Sequence, residues 1–66
     1  MTVGEWFIDS NISFDDLEAY VDEKKSSYWT NALGFIEDNW GNEVDEMSFK
    51  QQEWFHKILT EVSDVT

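Results

Sequence analysis

The chain has 66 residues, with fifteen acids against four lysines, no arginine and a formal net charge of −11. That length allows one small domain, which is marginal unless disulfides, a metal or self-association support it. The absence of Cys excludes disulfides and thiolate metal sites, and the charge disfavours direct nucleic-acid binding, because phosphates are neutralised by Lys and Arg.

The four Trp, two Tyr and five Phe are too much aromatic surface for a disordered acidic tail, so a folded single domain over residues 1–66 is expected. No apolar run approaches the roughly 20 residues of a membrane span, and anionic lipid repels this charge. Met1 to Trp6 lacks the basic and apolar regions of a signal peptide. A cytoplasmic location is therefore expected.

Residues 1–12 carry few helix signals. Trp6, Phe7 and Ile8 are apolar, and Asp9-Ser10-Asn11 reads as a turn, which predicts an extended arm or a tucked-in anchor. A helix start follows. Ser13 suits an N-cap with Asp16 at the third helical position, and Ile12 is placed to staple onto Leu17. Asp15, Asp16 and Glu18 lie where the helix dipole favours negative charge, and Leu17, Tyr20 and Val21 mark one face.

Lys24-Lys25-Ser26-Ser27 leaves two readings open. Leu17, Val21, Lys24, Tyr28, Ala32 and Phe35 fit one uninterrupted helix. The two serines and the lost apolar position favour a break, with lysines suited to a helix C-terminus. From Tyr28 the period is clear: Trp29, Ala32, Leu33, Ile36 and Trp40 form one stripe, widened by Tyr28 and Phe35. Gly34 is either tolerated or admits a close neighbour, and Gly41-Asn42 reads as a stop.

Asn42 to Met47 reads as an acidic loop. Ser48 then caps a last helix, with Gln51 completing a capping box. Phe55, Ile58, Leu59 and Val62 form its core stripe, with Phe49 and Trp54 off the centre. Glu53 and Lys57 are spaced to pair, and the tail from Ser63 is expected to fray. Without alternating β-branched runs or hairpin turns, the prediction is an all-α domain. Two or three amphipathic helices, about residues 13–25, 27–40 and 48–62, form a small bundle or hairpin that is suited to dimerise.

Catalytic constellations are missing. His56 is the single imidazole, and no nucleophile-elbow pattern accompanies it. Glu53 and His56 have the Glu-x-x-His spacing of di-iron bundles, but those need two such motifs; a solvent-facing pair is the plainer reading. An EF-hand frame starting at Asp9 puts Phe14 at the glycine position and Tyr20 at the twelfth. The three glycines are isolated, so no phosphate loop exists. No enzyme, metal or cofactor is expected.

The acids are unevenly spread. Residues 1–46 hold twelve against two lysines, a net of −10, and residues 47–66 hold three against two, a net of −1. One cluster is Asp15, Asp16, Glu18, Asp22 and Glu23; the other is Glu37, Asp38, Glu43, Asp45 and Glu46. Asp15, Glu18 and Asp22 line one helix face at about 5–6 Å spacing, similar in scale to the charge pitch of about 3.4 Å along one DNA strand. Charge runs often only solvate a helix and aid solubility. Soluble helices usually alternate signs, however, so the uncompensated field points to use. Four Trp exceed what short helices bury easily, which leaves Trp6, Trp40 and Trp54 as candidate anchors for a partner or a second copy.

On these features the chain resembles the very small acidic proteins of phages and mobile elements that inhibit host nucleic-acid enzymes, some by imitating DNA. Met47-Ser48-Phe49-Lys50-Gln51-Gln52-Glu53-Trp54 also looks like the L-S-x-K-Q-x-x-W helix starts of small phage and replication-associated proteins. The resemblance implies an acidic inhibitor that occupies a basic, nucleic-acid-binding surface through the two acidic clusters, with Trp40 and Trp54 as anchors. The alternative is an interaction or dimerisation module whose aromatic face binds and whose charge only gives solubility.

Overall fold

The computed structural model describes residues 1–65, and the side chains of residues 1–64. Four α-helices follow one another: α1 Val3–Asp9, α2 Phe14–Lys24, α3 Ser27–Asp38 and α4 Phe49–Val65, with a 3-10 turn at Val44–Glu46 before α4. The fold is all-α, with one helix more than the periodicity predicts.

The additional helix is α1, where the sequence suggests an arm. Thr2 and Glu5 start it with a reciprocal capping box: the Glu5 amide donates to Thr2 Oγ1 at 3.1 Å and the Thr2 amide to Glu5 Oε1 at 3.0 Å. Seven residues would not hold a helix in water alone. Tertiary contacts hold this one. Its first-turn amides would otherwise be orphans; instead Val3 N–H donates to the Asn42 carbonyl at 3.0 Å and Gly4 N–H to the Trp40 carbonyl at 2.9 Å. Val44 N–H reaches the Met1 carbonyl, and Thr2 forms an antiparallel bridge with Glu43. Val3 and Phe7 are fully buried. Asn11, at φ 65°, turns the chain into α2, a conformation that Asn tolerates.

α2 begins as predicted, with Ser13 and Asp16 forming a capping box. Ile12 and Leu17 are both buried beside that start. The helix stops at Lys24 because Lys25 takes the left-handed conformation, φ 50°. This resolves the open reading in favour of a break. A non-glycine residue there costs about 1 kcal/mol or more.

α3 ends at Asp38, two residues short of the expected end. Gly41 is not the stop, since no glycine has a positive φ. Asparagines close the helix instead: Asn39 Nδ2 donates to the Phe35 carbonyl at 2.8 Å, and Asn42 Nδ2 donates to Asn39 Oδ1 at 2.9 Å. The acidic loop then winds into its 3-10 turn and buries Val44. Ser48 and Gln51 form the expected box at the start of α4. Gln52 Nε2 ties α4 back to the carbonyls of Val44 and Met47, each at 3.1 Å. α4 runs to Val65, past the expected end near residue 62.

One core joins all four helices. It contains Leu17, Tyr20 and Val21 of α2, Trp29, Ala32 and Ile36 of α3, and Phe55, Ile58, Leu59 and Val62 of α4, together with Val3, Phe7, Ile12 and Val44. Leu33 is only partly buried against it. Among the described residues no polar or charged side chain is buried. Apolar burial and ring packing therefore stabilise the core, and the charge lies outside it.

Candidate partner-binding surfaces

All fifteen carboxylates are exposed. On α2, Asp15, Glu18 and Asp22 share one face by their spacing, and Glu23, one residue on, lies off that face. Asp16 has a local duty, because its Oδ2 accepts the Ser13 amide at 3.1 Å. Glu37 and Asp38 occupy the last turn of α3, where the helix dipole disfavours negative charge and no basic residue compensates.

The loop acids meet the N-terminus. The Met1 amine lies 3.0 Å from Glu43 and 3.8 Å from Asp45. The Glu43 hydrogen bond raises the amine pKa above its usual 8.0, with further attraction from Glu43, Asp45 and Glu5. These are the ion pairs among the described residues, so no lysine closes one on a carboxylate. The spaced Glu53 and Lys57 do not pair; both stand in water, where such a contact is worth little. Lys24 lies over the Tyr20 ring, 5.0 Å from its centroid. Glu43 and Glu46 also line a shallow polar pocket of about 260 Å³ with Asn39, Asn42, Met47 and Gln51.

The tryptophans differ in their accessibility. Trp29 is buried, with its ring edge-on to Tyr20 at 4.9 Å. Trp40, expected among the exposed anchors, is half-buried and engaged within the molecule. Its ring packs on Phe7 at 5.9 Å and on Phe14 at 5.3 Å, and covers Gly4 so closely that a Cβ there would meet the indole at 2.5 Å. The close approach thus occurs at Gly4, whereas Gly34 faces open space. Trp6 is half-buried and stacks on exposed His56, with centroids 6.1 Å apart.

Trp54 is different. It packs edge-on against Phe35 and Phe55 at 5.3 and 5.1 Å. With Phe35, Lys50 and Gln51 it lines an open groove of about 340 Å³. Phe35 is 40 % exposed, and Phe49, at the start of α4, 75 %. Of the two expected anchors, Trp54 lies at this groove between α3 and α4 and Trp40 does not, while Phe35 joins it unexpectedly. The off-centre position of Trp54 in its stripe signalled its part, and the helical phase of Phe35, at the margin of its own stripe, hinted at the other.

His56 and Glu53 are both exposed, and among the described residues no group of three or more His, Asp or Glu converges as a metal site. No helix is long and apolar enough to cross a membrane. No protein-family model, curated protein or solved structure matches the chain.

Proposed function

We propose that the chain acts by binding rather than catalysis, as an acidic inhibitor that occupies a basic, nucleic-acid-binding surface of a target protein. The observation that carries this reading is that every Asp and Glu is exposed and that, among the described residues, none pairs with a lysine. Two of them, Glu37 and Asp38, sit where α3 itself disfavours them. Solubility alone does not require acids at that end of a helix.

Asp15, Glu18, Asp22 and Glu23 on α2, with Glu37, Asp38 and Glu46, meet Lys and Arg of the target. Asp16, Glu43 and Asp45 contribute charge while holding their own contacts. Trp54 is the better aromatic anchor, because it lines the open groove beside exposed Phe35, whereas Trp40 covers Gly4 and packs on Phe7 and Phe14. Long-range attraction speeds encounter and makes affinity fall with salt. A phage-type antagonist of a host nucleic-acid enzyme or defence system, working in the host cytoplasm, fits this chemistry.

The test is capture from a host lysate at about 0.1 M and about 1 M salt, between which the screening length falls from about 10 to about 3 Å. It is repeated with a variant carrying Asp15→Asn, Glu18→Gln, Asp22→Asn and Glu23→Gln. The proposal expects a basic, nucleic-acid-binding protein that is lost at high salt and lost with the variant. Capture that survives both changes overturns it.

A further inference from the structure

We propose that the turn at Lys25 and Ser26 is a hinge, at which α2 and α3 straighten into one helix and two copies of the chain exchange their α1–α2 halves. The helical ladder is interrupted there over a single turn. Lys25 N–H donates to the Val21 carbonyl at 3.3 Å and Thr30 N–H to the Ser26 carbonyl at 3.0 Å, both in helical register. Between them the amides of residues 26–29 and the carbonyls of residues 22–25 have no backbone partner, as at any pair of helix ends. No side chain caps the start of α3. A straight helix over residues 14–38 would close all of these bonds.

Neither Gly nor Pro stands within residues 22–30, so nothing in the sequence bars a helix through the turn. Leu17, Val21, Lys24, Tyr28, Ala32 and Phe35 keep one helical phase across it. The bent state holds Lys25 at φ 50° and ψ 42°, a left-handed conformation that is costly for a lysine and that the straight helix relieves. Short hinges under strain invite exchange of whole elements between copies.

The core selects the occupant. Straightening parts Tyr20 of α2 from Trp29 of α3, whose rings meet edge-on at 4.9 Å. It also parts the Val3 and Gly4 amides from the carbonyls of Asn42 and Trp40. Phe7, Leu17 and Ile36, each at most 1 % exposed, lose their cover. The surface that fits these faces in shape and in hydrogen bonds is the other half of the same sequence, so a second copy restores each contact. Association costs translational freedom and brings together two chains of −11. The exchanged dimer therefore needs high concentration and is favoured by salt.

For the test, the full chain is unfolded in urea, refolded at millimolar concentration in about 1 M salt, where the screening length is about 3 Å, and followed by sedimentation velocity. A dimer with unchanged helical circular dichroism is expected. Ser27→Pro should abolish it. Ser27 is the first residue of α3, where Pro is favoured, and Ser26 is already extended at ψ 138°, as the residue before Pro requires. Inside a straight helix the same ring removes a bond and clashes. Lys25→Gly relieves the bent state and disfavours the straight one, and should weaken the dimer about tenfold at each hinge, or about a hundredfold for two. Ser26→Ala, which has no cap to lose, should strengthen it severalfold. A parent chain that stays monomeric overturns the proposal. So does a dimer that Lys25→Gly, or a folded Ser27→Pro chain, forms as readily as the parent, the result expected of a face-to-face contact. Should Ser27→Pro not fold, Lys25→Gly decides alone.

Discussion

Alanine placed at two of the three glycines should shift stability in opposite directions. At Gly4 a Cβ would lie 2.5 Å from Trp40 Nε1, 2.7 Å from Cε2 and 2.9 Å from Cδ1, against ordinary contacts of about 3.5–4.0 Å. The indole must retreat by about 1 Å, yet Phe7 and Phe14 pack on the same ring. The backbone cannot easily give way, because Gly4 N–H holds the Trp40 carbonyl at 2.9 Å. Overpacking of this kind costs about 1–3 kcal/mol. Alanine's better helix propensity offsets up to about 1 kcal/mol, less in a first turn. The net loss is about 1–2 kcal/mol, at about 4–8 °C of Tm per kcal/mol for a domain this small. At Gly34 nothing lies within 4 Å, so only the propensity gain remains and Gly34→Ala should raise Tm by a few degrees. Thermal unfolding followed by circular dichroism on dilute protein reads both. A Gly4→Ala chain as stable as the parent would show that α1 does not dock through Trp40.

Removal of the α2 cap by Ser13→Ala should cost about 1 kcal/mol in urea unfolding, since it strips the acceptor of the Asp16 amide. Lys25→Gly should stabilise by roughly 0.5–1 kcal/mol by relieving the left-handed lysine; an unchanged midpoint would mean that Lys25 is not strained. The Met1 amine pKa is raised in the fold by Glu43. Its contribution is therefore complete below the unfolded value near 8.0 and lost as pH rises through the folded one. Melting should weaken over that alkaline window, and acetylating the amine should abolish this component. Added salt should raise Tm, because fifteen exposed carboxylates repel and, among the described residues, no lysine pairs with one; a fall in Tm would contradict that.

The structure was legible in the sequence wherever the cause was local. The Ser13 and Ser48 boxes, the Leu17–Tyr20–Val21 face and the Phe55–Ile58–Leu59–Val62 stripe all follow from spacing within one turn or two. α1 was not legible from periodicity, because seven residues give too few repeats and its amides are completed by the distant carbonyls of Trp40 and Asn42. Its one signal was the Thr2-x-x-Glu5 box, a pattern weakened by the glycine inside it. The inward turn of Trp40 and the failure of Gly41 as a stop share that cause. The chain beyond Asp38 is shaped by what α1 bonds to it. Lys25 shows a different limit, because a helix stop without glycine leaves only the paired serines as a cue. For the candidate surface, the acids were readable as exposed from composition alone. The allocation of aromatic rings between core and surface was not, because it depends on which helix each ring meets.

The measurement that bears most directly on the central claim is competition on the target itself. With the captured partner in hand, a labelled oligonucleotide that it binds is titrated with this chain. If the carboxylates occupy the surface that neutralises phosphates, the two exclude each other, and the chain displaces the oligonucleotide completely, with an apparent affinity that falls as salt rises. A ternary complex in which the target holds both at once would contradict the account.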